Sequence, residues 1–197
     1  MTQNVLRIRT AFEGDYVIGA LVMLFSAETH SQDFRRLEIE VAVDSNDSKN
    51  VSLFRDITSH LGLDVKVTIY EKETNRRVRY NSPIALSKLH FLERESNEFL
   101  WLDADVVVLG SLYESLSGLN LTKDFWVVPR EKGLSSFNSG VFFSSGRSID
   151  ATWREVDDSD FYTDQHILQE VFKGRSAALN PGMNQLCAWG STRAWRS

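Results

Sequence analysis

Two aspartates one residue apart, Asp103 and Asp105, interrupt an otherwise apolar run, Phe99-Leu-Trp-Leu-Asp-Ala-Asp-Val-Val-Val-Leu109. Unpaired carboxylates in such a setting are costly to desolvate. Held so close they also repel, and one is driven toward protonation unless a cation lies between them. A hard divalent ion such as Mg2+ or Mn2+ resolves both problems, because it prefers carboxylate oxygens. The small Ala104 lets a tight turn aim both side chains at one point. Spacing alone is not the signal, since Asp158-Ser-Asp160 shares it. That pair sits in a polar stretch with no apolar strand before it and reads as a solvated loop.

Other residues have types that suit a nucleotide. Tyr16 follows the first apolar segment, where an aromatic face can stack on a base; it can equally open a buried helix. Arg79 and Lys88 are cations within reach of phosphates, or simply solvated. Asn138-Ser-Gly140 is a polar break before an apolar strand, which by itself signals a turn. Asp164-Gln165 opens a helix, where an acid also serves as a cap or first-turn charge. Between Cys187 and Trp195, an arginine (Arg193) lies between two tryptophans, Trp189 and Trp195, as packing or as a phosphate clamp.

Such residues need a frame that brings them together. Val5 to Ala11 reads as a strand, and Asp15 to Glu28 as a helix so apolar in its middle that it must lie against a sheet. Leu37 to Val43 alternates as a strand and ends in the polar turn Asp44-Ser-Asn-Asp47. Val51 to Leu61 is amphipathic, and Val65 to Tyr70 is a third strand. Ser82 and Pro83 form a helix start, cap and first turn. That helix runs to about Glu95 and turns Ile84, Leu86, Leu89 and Leu92 inward. Phe99 to Leu102 and Val106 to Leu109 read as two short strands side by side. Phe125 to Val128 and Val141 to Phe143 are two more, and Asp164 to Phe172 is a helix. The alternation predicts an α/β fold with a mostly parallel central sheet and helices on both faces. Ligands in such folds bind beyond the C-terminal ends of the strands.

Composition narrows the class. A chain of 197 residues without repeat or low-complexity linker suits one domain, 1–197. Hydrophobic residues at 42% and charged residues at 25% exclude a disordered chain. Lys+Arg 22 against Asp+Glu 27 gives a net charge of −5, with no basic run to serve a nucleic-acid partner. The lone cysteine, Cys187, excludes an internal disulfide and any zinc cage of two or more cysteines. The longest apolar run, Tyr16 to Phe25, is shorter than the roughly 20 residues of a spanning helix. No signal-peptide pattern opens the chain, so a soluble, cytoplasmic protein with no transmembrane segment is expected. No Gly-x-Gly occurs, against the phosphate loop of a nucleotidyltransferase and the dinucleotide fingerprint of a dehydrogenase.

Taken in order, six segments resemble the family 8 glycosyltransferases, which include glycogenin and the lipopolysaccharide galactosyltransferases. They are Thr10-Ala-Phe-Glu-Gly-Asp-Tyr16 through Gly19-Ala-Leu, Leu86-Ser-Lys-Leu-His90, Leu102-Asp-Ala-Asp-Val-Val-Val-Leu109, Phe137-Asn-Ser-Gly-Val-Phe142, Asp164-Gln-His-Ile-Leu168 and Gly190-Ser-Thr-Arg-Ala-Trp195. The glycogenin branch is the more similar. The resemblance implies a Rossmann-like GT-A fold, a nucleotide-sugar donor (usually a UDP-sugar), Mn2+ or Mg2+, and transfer of a hexose with retention to an acceptor that the sequence does not name. It also implies roles. Asp103 and Asp105, the DxD motif, match metal ligands, with Asp103 and Ala104 near the donor. Thr10, Phe12, Glu13 and Tyr16 occupy uridine-pocket positions. Arg79 and Lys88 match cations on the donor phosphate or sugar, and Asn138 and Ser139 match donor-sugar contacts. Asp164 and Gln165 match the acid–amide pair beside the anomeric carbon, with Asn138 in the same reacting region. Gly190 and Arg193 match a Gly-x-x-Lys that grips the diphosphate, and Arg keeps the charge and adds bidentate geometry.

Two departures mark this chain. Cys187 stands where the family usually has a metal-binding His. The metal site is then weakened, completed by Cys187, or completed by water. Only 21 residues separate Gln165 from Cys187, where the family normally inserts a longer acceptor-side segment. No tyrosine lies beyond Tyr162, so a self-glucosylated tyrosine has no counterpart in that region. The alternative to a transferase is a degenerate member that binds nucleotide-sugar without efficient transfer. Oligomeric state, monomer or homodimer, stays open.

Overall fold

The computed structural model describes residues 5–71, 83–120, 122–130, 133–146, 149–150, 153–154, 163–180 and 183. In chain order they form β1 (Val5–Phe12), α1 (Tyr16–Thr29), β2 (Arg36–Asp44), α2 (Ser48–His60) and β3 (Val65–Tyr70). A 3-10 turn (Pro83–Leu86) leads into α3 (Ser87–Arg94). Then come β4 (Phe99–Leu102), α4 (Leu112–Ser117), β5 (Phe125–Arg130), β6 (Gly133–Ser144), α5 (Asp164–Val171) and β7 (Ser176–Ala178).

The strands make one seven-stranded sheet in the order β3-β2-β1-β4-β6-β5-β7. The pairs β1–β2, β2–β3, β1–β4 and β5–β7 are parallel. The pairs β4–β6 and β5–β6 are antiparallel. The chain winds outward from β1 through α1 and α2 to β3, then returns through α3 to place β4 on the other side of β1. Strand order therefore reverses between β1 and β4, and a ligand crevice belongs at the C-terminal ends of those two strands.

Each strand divides its side chains between two cores. On β4, Leu100 and Leu102 join the cluster that contains Leu6, Ile8 and Phe12 of β1 and Val17, Leu21 and Leu24 of α1. Phe99 and Trp101 join the opposite cluster with Leu89 and Leu92 of α3 and Ile167 and Leu168 of α5. This alternation has a consequence for the site. Trp101 and Asp103 follow at i and i+2, so they belong to the α3 face, while Ala104 lies with the α1 face.

The predicted elements recur with shifted ends, and three differences matter. Val106–Leu109 is not a strand. The chain turns at Asp103, where Val106 N–H donates to Asp103 O (3.1 Å), and Val108 N–H donates to Ser26 Oγ (3.0 Å). With those donors engaged and Leu109 83% exposed, the β-branched run has no ladder to join. Asn138-Ser-Gly140 is not a turn before a strand but lies inside β6. The β5–β6 register slips there, from Val127 opposite Phe142 to Pro129 opposite Phe137. Such a bulge re-aims side chains. The third difference is α4, capped by Ser111, whose Oγ accepts from Glu114 N (3.1 Å). Ser-x-x-Glu is a capping-box pattern legible in the sequence.

Candidate functional site

Lys88 sits in the first turn of α3, only 2% exposed. Its Nζ lies 3.1 Å from Asp103 Oδ1 and 2.8 Å from Asp164 Oδ2. It also donates to Ser139 O (3.3 Å) and Ser139 Oγ (3.4 Å). Ser139 Oγ in turn donates to Asp164 Oδ2 (2.9 Å). One ammonium thus ties together the end of β4, the bulge of β6 and the start of α5. Burial opposes the charge on Lys88, but Asp103 and Asp164 outweigh it and raise its pKa above the ordinary value. Burial raises the pKa of Asp103, partly countered by Lys88 and by the Trp101 indole.

The aspartate turn is seated from both sides. From the α3 face, Trp101 Nε1 donates to Asp103 Oδ1 at 2.6 Å. Asp103 N–H donates to Gly140 O at 2.8 Å, and a Cβ on Gly140 would lie 3.1 Å from Asp103 Oδ2. Asn138 Oδ1 accepts from Gly140 N (2.6 Å), which fixes that strand segment against the turn. From the α1 face, a Cβ on Gly19 would meet Ala104 O at 2.5 Å. A glycine inside a helix costs roughly 1 kcal/mol relative to alanine. Here it permits the backbone of the turn to rest on the helix.

A second locus lies beside the first turn of α1. An open cleft of about 420 Å³ is lined by Glu13, Gly14, Asp15, Tyr16, Asp44, Asn46 and Asp47. Tyr16 is 59% exposed, so its ring face is available. Gly14 takes φ 55°, and its N–H donates to Asp47 Oδ2 (2.7 Å), which holds this loop to the start of α2. Tyr16 and Gly19 are one helical turn apart, so α1 links the cleft to the aspartate turn.

Among the expected site residues, the structure gathers Lys88, Asp103, Asn138, Ser139 and Asp164, with Ala104 and Asp105 at the adjoining turn. Gln165 follows Asp164 in the first turn of α5 and is half-buried. Glu13 and Tyr16 line the cleft. Three placements qualify the sequence reading. Phe12 is 1% exposed and packs on Phe54 (centroids 4.9 Å apart), so its ring belongs to the core and only its backbone can face a base. Thr10 is fully buried with an unpartnered Oγ1. Lys88 engages two carboxylates, Asp103 and Asp164. Arg79, Cys187, Gly190, Arg193 and the Asp158–Asp160 pair lie outside the described residues. Trp101 and Gly19 also bear on the turn, signalled in the sequence only by strand alternation and by a glycine inside a helix.

The donor atoms fit a hard divalent ion. Asp105 is exposed and, among the described residues, its carboxylate has no partner. Asp103 Oδ1 carries the Trp101 and Lys88 contacts, whereas Oδ2 lies 3.5 Å from Lys88 and retains accepting capacity. Two carboxylates are oxygen ligands of the right kind. No group of three His, Cys, Asp or Glu that could hold a metal occurs among the described residues, so water or further residues would complete the shell.

Comparison with known proteins agrees with this frame. The model of glycosyl transferase family 8 matches residues 7–189. Among solved structures, the galactosyltransferase LgtC in complex with donor and acceptor sugar analogues is similar at 20% identity and TM-score 0.69, over 89% of this chain and 73% of that one. The glycosyltransferase GlyE of Streptococcus pneumoniae TIGR4 matches at 17% identity and TM-score 0.64, over 89% of this chain and 46% of that one. Mouse xyloside xylosyltransferase 1 matches at 15% identity and TM-score 0.62, over 94% and 88%. At these identities the likeness is one of fold. No curated protein matches the sequence. No helix among the described residues is long and apolar enough to cross a membrane.

Proposed function

The chain belongs to glycosyl transferase family 8 and is a glycosyltransferase, and from that premise we propose that it moves a hexose from a UDP-sugar to a hydroxyl acceptor with retention, within one domain. The observation that carries this reading is the Lys88 bridge between Asp103 and Asp164 at the point where strand order reverses. Tyr16 stacks on the base in the cleft, with Glu13 beside it. Asp103 and Asp105 would hold Mn2+ or Mg2+, which would supply positive charge to offset the negative charge of a diphosphate leaving group. Arg79, Gly190 and Arg193 are the proposed phosphate contacts, and Cys187 is the proposed further ligand.

On the sugar side, Asn138 and Ser139 hold donor hydroxyls. The bond from the anomeric carbon to the diphosphate oxygen breaks, and its electron pair leaves with UDP. The carbon becomes oxocarbenium-like, and the Asp164 carboxylate favours that positive charge. The acceptor hydroxyl enters on the face the leaving group vacates, and its proton passes to the departing diphosphate oxygen. Gln165 orients the reacting groups; an amide is a feeble nucleophile. A second LgtC structure is of an active-site glutamine-to-glutamate mutant, which supports assigning a glutamine here.

The test is a donor-hydrolysis and transfer assay across UDP-sugars, paired with thermal shift by UDP with and without Mn2+. UDP should raise Tm in the presence of Mn2+, by mass action on the native state. No shift with any nucleotide–metal pair would sink the reading. Binding without turnover of any sugar would favour a nucleotide-sugar binder. A covalent sugar adduct on Asp164 or Gln165, seen by mass spectrometry, would overturn same-face attack.

A further inference from the structure

We propose that Trp101 is a positioning residue, whose indole N–H fixes the Asp103 carboxylate in the orientation that the donor and its cation require. This rests on the nucleotide-sugar reading of the site. The indole is 1% exposed and cannot swing. It stacks on Phe142 with ring planes 5° apart and centroids 5.8 Å apart, and it is wedged against Phe91, also 5.8 Å away. Its edge donates to Asp103 Oδ1 at 2.6 Å. Lys88 Nζ, the ionic partner of the same carboxylate, lies 5.4 Å from the centroid of its ring. One rigid ring therefore orders both members of the ion pair, the anion through its N–H and the cation through its π-face.

Packing alone does not account for this choice. A buried tryptophan needs a partner for its N–H, but that need does not select a carboxylate two residues away. An indole nitrogen is a donor only, so the contact is made when Asp103 offers a lone pair at Oδ1, and it leaves Oδ2, 3.5 Å from Lys88 Nζ, with accepting capacity. Hydrogen bonds that orient a coordinating carboxylate typically change metal affinity by about 10- to 100-fold.

The experiment titrates Mn2+ in the presence of UDP, by thermal shift on the full chain. Trp101→Phe keeps a ring and removes the N–H. It should weaken apparent Mn2+ affinity about tenfold or more, alongside a lower ligand-free Tm from the ring volume it removes. Phe142→Leu loosens the same stack and leaves the N–H in place. It should lower Tm and keep the wild-type Mn2+ affinity. Trp101→His retains a ring N–H at a larger packing loss. It should keep more affinity than Trp101→Phe despite a lower Tm, and it carries the test if Trp101→Phe does not fold. Wild-type Mn2+ affinity in Trp101→Phe, or affinity that tracks Tm across the three variants, overturns the proposal. Absence of any UDP–Mn2+ shift in the wild type overturns the functional reading itself, so the two failures are distinguishable.

Discussion

Two networks of charge meet α3, one at each end, and they are built to opposite balances. At the C-terminal end, Arg9 and Glu40, both nearly buried, join Arg94 and Glu95. Arg9 Nε lies 3.2 Å from Glu95 Oε1 and 3.9 Å from Glu40 Oε2. Glu40 Oε1 also meets Arg94 Nη2 (2.9 Å), Lys66 Nζ (3.1 Å) and the Thr68 hydroxyl. Three cations there face two carboxylates. Arg9 Nη1 further donates to the Ile8 and Glu38 carbonyls. At the N-terminal end, Lys88 is the cation that faces Asp103 and Asp164 among the described residues, with Asp105 close by in sequence. The first network neutralises its own anions and fastens α3 to the sheet. Among the described residues, the second sets more carboxylates than cations at the crevice. Both contain buried ion pairs, and such pairs are weak evidence for stability as such. Net sign and location separate a fastener from a site that takes a cation.

The comparison can be broken in several ways. The largest effect should come from Asp105→Asn. Donor turnover should fall by about 100- to 1,000-fold, while stability changes by less than about 0.5 kcal/mol, because the side chain is exposed. Equal losses of both would place Asp105 in the frame rather than the site. Next is Lys88→Met, which removes the cation that Asp103 and Asp164 share among the described residues. Denaturant unfolding should show a loss of about 3–5 kcal/mol, together with lost turnover.

Arg9→Met should cost less, about 2 kcal/mol, because Arg94 and Lys66 still face Glu40. Its UDP–Mn2+ thermal shift should match the wild type, and a diminished shift would show the two networks to be coupled. Gly19→Ala sets overpacking of about 1–3 kcal/mol against a propensity gain of about 1 kcal/mol. A small loss of stability with weaker Mn2+ binding is expected. Unchanged binding would show that the turn does not depend on its seat.

The smallest effect concerns pH. Burial opposes ionisation of Glu40, but Thr68, Lys66 and Arg94 outweigh it and hold its pKa below the usual 4.5. A carboxyl depressed in the folded state contributes stability above its unfolded pKa and loses it as pH falls through the folded value. Glu40→Gln should therefore flatten the decline in stability below about pH 4.5. An unchanged acid limb would remove Glu40 as its source.

Much of this was readable from residue order. The apolar run into Asp103 and Asp105 marked a strand that ends in a turn. The apolar middle of Asp15–Glu28 marked a helix against the sheet; Val17, Leu21 and Leu24 do pack there, while Ile18, Val22 and Phe25 stay about half exposed. The six ordered segments pointed to the family that the matched model supports. Misreadings arose where a local preference met a tertiary competitor. Val106–Leu109 has strand residues, yet Ser26, 82 positions from Val108, takes a backbone donor. Asn138–Gly140 has turn residues, yet β4 pairs with β6 and draws them into the sheet as a bulge.

Sequence order alone carried the α/β alternation, the acidic turn and the absence of basic runs. These are local in the chain, and hydrophobic period and residue type encode them directly. Folding settled which charges meet. Lys88, Asp103, Ser139 and Asp164 span 76 positions, and they converge because β1 and β4 lie side by side while α3 and α5 pack on one face. Folding also gave Trp101 and Gly19 their bearing on the turn, through an indole edge and a missing Cβ. Such contacts depend on close packing in three dimensions, which no spacing along the chain records.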